Sequence, residues 1–268
     1  MAKKLGKQDD YKNFISRAQY YKNVFDGTTG FMRPRNDGFL TPFDPFEVNR
    51  HYTEGNSWQY SFYVPQDLSG QMKLLGGKEK LAKFLDSLFN ASTKLTGHKQ
   101  PDISGLIGQY VHGNEPSHQI AYEYDYAGQP WKTQAMVRRI MNEMYHDKPD
   151  GLSGNEDCGQ MSAWYIFSAL GFYPVCPGSP QYAIGSPIAD KATIHLENGK
   201  SFTVEAKNNN VQNVYINSAK LNGKDYTKSY ISYEDISSGG KLELEMSATP
   251  NTKWGSGDKD VPVTKIEN

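Results

Sequence analysis

Near residue 174 the apolar residues of this chain change their period, and that change narrows the folds open to it. Ahead of Pro174-Val175-Cys176-Pro177-Gly178-Ser179-Pro180 they recur every three or four residues, as helices require; behind it they alternate, as half-buried strands require. The expected class is mainly α with a C-terminal β portion: a helical region over 1–175, then a small antiparallel β domain over 176–268. Phe14, Ala18, Tyr21 and Phe25 predict a helix from about Asp10 to Asp26, followed by a long loop from Gly27 to about Asn56. Leu81, Phe84, Leu85, Leu88 and Phe89 mark a second helix, and Ser117 is placed to cap a third that runs to Tyr126. The stretch Trp131 to Tyr145 is amphipathic, with Val137, Ile140 and Met144 apolar and Arg138, Arg139 and Glu143 turned to water. The helix from Gly159 to about Gly171 is apolar on every side, which predicts central burial. Ala192–Leu196 and Phe202–Ala206 flank Asn198-Gly199, a strong hairpin signal, and Val214–Ile216, Ala219–Leu221 and Leu242–Met246 read as further strands. Helices joined by long loops suit a toroid of paired helices whose site is built from loops at one end.

Composition excludes several classes of function. The 268 residues carry a formal net charge of −1, which leaves no electrostatic footprint for nucleic acid or an anionic membrane. No stretch approaches the ~20 apolar residues of a membrane span. The basic start Met1-Ala2-Lys3-Lys4 has no hydrophobic region behind it, so no signal peptide is expected. Cys158 and Cys176 flank the Gly159 helix, whose length holds them about 20 Å apart, so both are expected as free thiols. Zinc-ligand spacing is absent.

Three short segments carry the chemistry. Gly151-Leu152-Ser153-Gly154-Asn155-Glu156-Asp157-Cys158-Gly159-Gln160-Met161-Ser162-Ala163-Trp164 places two acids in a glycine-flanked loop that opens the apolar helix. Tyr52-Thr53-Glu54-Gly55-Asn56-Ser57-Trp58-Gln59-Tyr60 and His112-Gly113-Asn114-Glu115-Pro116-Ser117-His118 each set an acid beside Gly and Asn, close to aromatics or histidine. Sugar sites are built this way: aromatic rings cover the C–H faces of a pyranose, and carboxylates and amides take its hydroxyls. Glycoside hydrolysis needs one carboxylic acid to protonate the leaving oxygen and a second carboxylate on the opposite face. Each candidate has a plainer alternative. Asp157 could be only a helix cap, Glu54 a surface acid at a helix start, and Asn114 and Glu115 the lead-in to the Pro116 turn. His112 and His118 could be packing residues.

Together, and in this order along the chain, these motifs resemble the calcium-dependent exo-α-mannosidases of glycoside hydrolase family 92. Tyr126-Ala127-Gly128-Gln129-Pro130-Trp131-Lys132-Thr133-Gln134 and Phe172-Tyr173-Pro174-Val175 extend the resemblance over most of the chain. It implies an inverting hydrolase that releases mannose from N-glycans or mannan, built on part of an (α/α)6 toroid. By position Glu54 would be the general acid and Asp157 the general base, with Asn155 and Glu156 shaping the base side. Trp58, Gln59 and His118 would bind substrate, and Asn114 and Glu115 would hold Ca2+. Family members are longer, so a missing N-terminal part of the enzyme is an implied partner, and export to the periplasm or beyond is the implied location. Members specific for α-1,2 linkages carry His-Glu where Gln109-Tyr110 stand here; the family's usual α-1,2 label therefore leaves the linkage open. Two other readings remain: a non-catalytic carbohydrate-binding fragment, and another α/α-toroid glycosidase or phosphorylase.

Overall fold

Two large hydrophobic cores, one among the helices and one under a sheet, organise the chain, with a small third cluster of Val48, Ile103 and Val111. The computed structural model describes residues 1–266. Its helices are α1 (Gln8–Arg17), α2 (Ser57–Phe62), α3 (Leu68–Leu75), α4 (Lys78–Asn90), α5 (Glu123–Tyr126), α6 (Pro130–Met144), α7 (Gln160–Leu170) and α8 (Tyr233–Ser237). The first core gathers Trp58 and Phe62 of α2, Leu81, Leu85 and Leu88 of α4, Val137 and Ile140 of α6, and Trp164 of α7. The apolar spacing on α4 and α6 fixes which face each helix buries, and both lie where the sequence predicts them.

The predicted first helix is shorter than its apolar pattern. It ends at Arg17, a 3-10 turn covers Tyr20–Asn23, and Phe25–Asp26 pairs antiparallel with Phe31–Met32. None of its residues is buried, and Phe14 is 55% exposed, so the apolar face is present but is not buried among the described residues. The third predicted helix is broken into 3-10 turns at Glu115–Ser117 and Ile120–Tyr122 before the single turn of α5; Asn114, not Ser117, stands at the first cap. The expectation that α7 is buried all round is also corrected. Met161, Trp164 and Ser168 are its buried residues, while Ile166 is 58% exposed. Apolar content sets what a helix can bury, whereas its place in the fold sets what it does bury.

Arg138 reverses its predicted role. It is buried, its guanidinium donates to Asn209 Oδ1 at 2.7 Å, to Ser186 Oγ at 3.2 Å, to the Asn210 carbonyl at 3.2 Å and to the Pro187 carbonyl, and burial pushes its pKa down. Arg138 thus ties α6 to the loops that lead into the sheet. Arg138→Ala should lower the unfolding free energy by about 3 kcal/mol, because it strands several buried acceptors. Arg139→Ala, which loses only an exposed pair with Glu143 at 2.9 Å, should change it by less than about 0.5 kcal/mol. Urea unfolding of the two variants checks the contrast.

The C-terminal sheet has five strands in the order Lys224–Asp225, Tyr215–Leu221, Gly240–Ser247, Ser201–Lys207, Lys191–His195. The Asn198-Gly199 hairpin is present, with Phe202 opposite Ile194. The two predicted strands around residue 217 are one, bulged between Ile216 and Ser218. The expected all-antiparallel arrangement is corrected: Ser201–Lys207 and Gly240–Ser247 run parallel, Val204 opposite Leu242. Alternation identifies the faces of a strand but not the direction of its neighbour. Phe202, Val204, Leu242, Leu244 and Met246 point into the second core, against Phe172, Ile184 and Trp254. A separate antiparallel trio joins Phe172–Tyr173, Gln181–Ile184 and Tyr230–Ser232. The chain then returns to the helices, where the Ser69 N–H donates to the Thr264 carbonyl at 3.1 Å.

Candidate active site

The three acidic segments converge. Asn56 caps α2: its Oδ1 accepts from the Trp58 N–H at 3.0 Å, and Gln59 Oε1 accepts from the Asn56 N–H at 2.8 Å. That reciprocal cap fixes the loop in front of it. A side chain at Gly55 would meet Gln59 Oε1 at 2.9 Å and the Tyr60 ring at 3.2 Å, so the turn carrying Glu54 is tight enough to need glycine. The Glu54 N–H donates to the Tyr60 hydroxyl at 3.2 Å, and the Glu54 carbonyl accepts from Asn114 Nδ2 at 2.6 Å. Asn114 is therefore the tie between the Glu54 loop and the Glu115 loop. With its N–H end committed there, its oxygen and the exposed Glu115 carboxylate remain as adjacent acceptors.

The Glu115 loop in turn rests on the Asp157 loop. A Cβ on Gly113 would lie 2.6 Å from the Ser153 carbonyl, so this approach depends on a bare backbone. Asp157 and Cys158 both have positive φ, 50° and 57°, ahead of Gly159 at 93°. Left-handed backbone at two consecutive non-glycine residues is costly and is characteristic of functional loops. One N–H of the first turn of α7 is met by Glu156, whose carboxylate accepts from the Ser162 N–H at 3.0 Å and the Ser162 hydroxyl at 3.1 Å. Asp157 is exposed, and its carboxylate has no hydrogen-bond partner among the described residues. Asn155 Nδ2 reaches Asp102 Oδ1 at 3.4 Å.

Behind these loops lies a polar aromatic frame that the sequence did not reveal. His112 Nδ1 pairs with the Tyr110 hydroxyl and Nε2 with the Tyr145 hydroxyl, each at 2.7 Å; the Tyr145 hydroxyl donates to the Met161 carbonyl at 3.0 Å. Trp164 packs edge-on against His112 and donates to the His118 carbonyl at 2.9 Å. His118 bonds the His112 carbonyl through Nε2 at 2.9 Å and Gln160 through Nδ1 at 3.1 Å. Burial pushes the His118 pKa down, opposed by the His112 carbonyl and by the charges of Glu115 and Asp157. Those two carboxylates thus act on one imidazole.

Trp58, Gln59 and His118 are all buried. Gln59 Nε2 donates to the Gln109 carbonyl at 2.5 Å, and Asn56 Nδ2 to Gln109 Oε1 at 2.9 Å, so Gln109 locks α2 from behind. Gln109 and Tyr110 are fully buried. Lys132 is spent on Asp86 at 2.7 Å. Gln160 and Tyr145 are supporting residues to which the motifs gave no role, Gln160 lying inside the Asp157 segment and Tyr145 at the end of the amphipathic stretch. Both cysteines are free thiols. Among the described residues no group of three or more His, Cys, Asp or Glu is placed to hold a metal ion, and no helix is long and apolar enough to cross a membrane.

A model of the glycosyl hydrolase family 92 catalytic domain matches residues 1–248. A family GH92 alpha-mannosidase from Bacteroides thetaiotaomicron is 45% identical and superposes with a TM-score of 0.89 over 98% of this chain and 35% of its own; its structure in complex with mannoimidazole gives a TM-score of 0.90 at 44% identity, over 98% and 36%. A family GH92 inverting mannosidase from the same organism is 40% identical, with a TM-score of 0.87 over 99% of this chain and 37% of its own. An uncharacterized secreted glycosidase of Arthroderma benhamiae is 33% identical over 261 residues, 96% of this chain and 31% of that protein. The chain therefore spans about a third of the length of these relatives.

Proposed function

This chain belongs to glycosyl hydrolase family 92, and from that premise we propose that it carries the catalytic loops of an inverting, calcium-dependent exo-α-mannosidase acting on mannose-containing glycans. The observation that carries this reading is the division of labour at α7. Glu156, not Asp157, supplies the carboxylate that meets a free N–H in the first turn of α7, and Asp157 is held in a strained conformation with its own carboxylate free of partners among the described residues. In this reading Asp157 takes a proton from a water whose oxygen attacks the anomeric carbon, while Glu54 protonates the departing glycosidic oxygen as its bond to that carbon breaks. Glu156 and Asn155 hold the base loop. Tyr60 holds the Glu54 N–H and Asn114 the Glu54 carbonyl. Trp58, Gln59 and His118, being buried, act through the loops they support.

Calcium prefers about six to eight oxygen ligands. The Asn114 amide oxygen and the Glu115 carboxylate are hard oxygen donors of the kind such an ion takes, and they would furnish part of its shell. Bound there, the ion would engage sugar hydroxyls and favour distortion of the ring. The helices would form part of an (α/α)6 toroid completed by the longer protein, and the named secreted relative supports a periplasmic or extracellular location. A match to a catalytic-domain model favours this reading over a binding fragment or a toroid phosphorylase. Hydrolysis of an aryl α-mannoside, with calcium and then with excess chelator, tests it. Turnover should fall at least about tenfold on chelation, and the first product seen by NMR should be β-mannose. A folded chain with no turnover, even after addition of the N-terminal portion of a family 92 enzyme, would remove the proposal.

A further inference from the structure

One residue outside the acidic segments holds both ends of the loop that carries Asp157. α6 stops at Met144, and Tyr145 follows with extended backbone, φ −129° and ψ 127°. That conformation lets Tyr145 pair with Leu152 as an isolated antiparallel bridge, beside the His146 N–H bond to the Gly151 carbonyl at 2.9 Å. The entry of the loop is thereby fixed. Its exit is fixed by the side chain of the same residue: the Tyr145 hydroxyl donates to the Met161 carbonyl, in the first turn of α7, at 3.0 Å. A hydroxyl has one proton. With that proton spent, it accepts from His112 Nε2 at 2.7 Å, and His112 Nδ1 in turn accepts from the Tyr110 hydroxyl. Packing fixes the ring as well. It lies parallel to the buried Trp164 ring, with centroids 6.0 Å apart, and 4.8 Å from that of Tyr165. Met161, Trp164 and Tyr165 are spaced to share one face of α7.

Between its ends the loop is tied down only weakly by side chains. Ser153 Oγ has the Met144 thioether as its partner, and Asn155 Nδ2 reaches Asp102 Oδ1 at a long 3.4 Å. Glu156 bonds to Ser162, within the exit itself. Asp157 and Cys158 meanwhile keep left-handed backbone, a conformation that persists only where the surroundings enforce it. We propose that Tyr145 is a positioning residue for the base: it sets the pose of residues 152–161 and, through His112, ties that pose to the Glu115 loop. This rests on the reading of Asp157 as the general base. Tyr145 acts through Leu152 and Met161, not on the reacting atoms. A tyrosine that merely filled the core would need its ring and not its hydroxyl. Here the hydroxyl carries the bonds to Met161 and His112, so removing that one oxygen separates the two roles.

Tyr145→Phe in the full chain, with Tyr165→Phe as control, tests the assignment. Tyr165 packs on the same ring, and its hydroxyl has no hydrogen-bond partner among the described residues. Amide hydrogen exchange reads the pose of the loop without needing turnover. The Gln160 and Met161 N–H groups donate to the Asp157 and Glu156 carbonyls. In Tyr145→Phe these and the other amides of residues 152–161 should exchange about tenfold faster, while α4 and the C-terminal sheet keep their protection. Tyr165→Phe should leave the loop amides unchanged. With an aryl α-mannoside, Tyr145→Phe should lower kcat about tenfold at nearly constant KM, and equally for good and poor leaving groups, as a misplaced base requires and a misplaced acid does not. In a chain without turnover the exchange result alone decides. Unchanged loop exchange overturns the proposal, and so does faster exchange spread evenly over the chain, the mark of a packing residue. Full kcat in Tyr145→Phe, with Asp157→Asn inactive, overturns it as well. If Asp157→Asn retains turnover while Tyr145→Phe still loosens the loop, the tie at Tyr145 stands and the assignment of the base falls.

Discussion

Asp157→Asn is expected to lower kcat by roughly a hundredfold to ten-thousandfold on every α-mannoside, whereas Glu54→Gln should do so only on those with a poor leaving group. The asymmetry follows from what each proton does. Water must lose a proton to become a competent nucleophile whatever it displaces, so the base is needed with all substrates. The acid is needed only in proportion to the basicity of the departing oxygen. A dinitrophenolate leaves unassisted; a sugar alkoxide does not. Comparing kcat for a dinitrophenyl α-mannoside and an α-mannobiose in the two variants separates the roles. Equal losses for Glu54→Gln on both substrates would contradict its role as proton donor, and full activity of Asp157→Asn would remove it as base.

Glu156 sharpens the same experiment. It lies beside Asp157, but its oxygens are engaged by Ser162 at 3.0 and 3.1 Å. Its effect on rate should therefore come through the pose of the α7 entry rather than through contact with the reacting atoms. Loss of a helix cap typically costs about 1 kcal/mol of stability, so Glu156→Ala should lower the urea midpoint, whereas Asp157→Asn should not.

The acidic loops could be found in the sequence because their signals are local. Glycine beside Asn and an acid encodes a tight turn and a cap within a few residues, as at Gly55-Asn56. The same holds for α4, α6 and the Asn198-Gly199 hairpin. What escaped depends on partners distant in the chain. Arg138 lies on a helix face that reads as wet, and only the carbonyl and amide groups near residues 187 and 209 make its burial tolerable. The parallel pairing of Ser201–Lys207 with Gly240–Ser247 depends on where a strand is inserted, which alternation does not record. Phe14 of α1 and Ile166 of α7 sit at helical spacing yet stay exposed among the described residues. His112 was recognisable as a packing histidine, but its bonds to Tyr110 and Tyr145 follow from tertiary placement alone.

Stability is expected to decline as pH rises above the ordinary carboxylate range, because of two carboxyls in the helical core. Glu123 and Asp125 are fully buried, and burial pushes both pKa values well above the usual carboxylate range; the Gln119 amide partly offsets the shift of Glu123, whereas neither Asp125 oxygen has a hydrogen-bond partner among the described residues. No lysine or arginine pairs with either among the described residues, and nearby Lys132 is occupied by Asp86. Folding must therefore keep protons on two groups that the unfolded chain releases above about pH 4. Their stabilising contribution is complete below that point and is lost as pH rises toward the folded pKa values, by up to about 1.4 kcal/mol per pH unit for each group. Asp26 works in the opposite sense. The Thr28 hydroxyl, with help from Arg33, holds its pKa below the usual range, so its contribution is present above about pH 4 and lost on acidification. Asp125→Asn keeps the shape and removes the proton requirement. Its urea midpoint should exceed that of the wild type at pH 8, with the gap narrowing steadily toward pH 5. Parallel wild-type and Asp125→Asn profiles over that range would mean that Asp125 is ionised in the folded core, against its lack of any cationic partner.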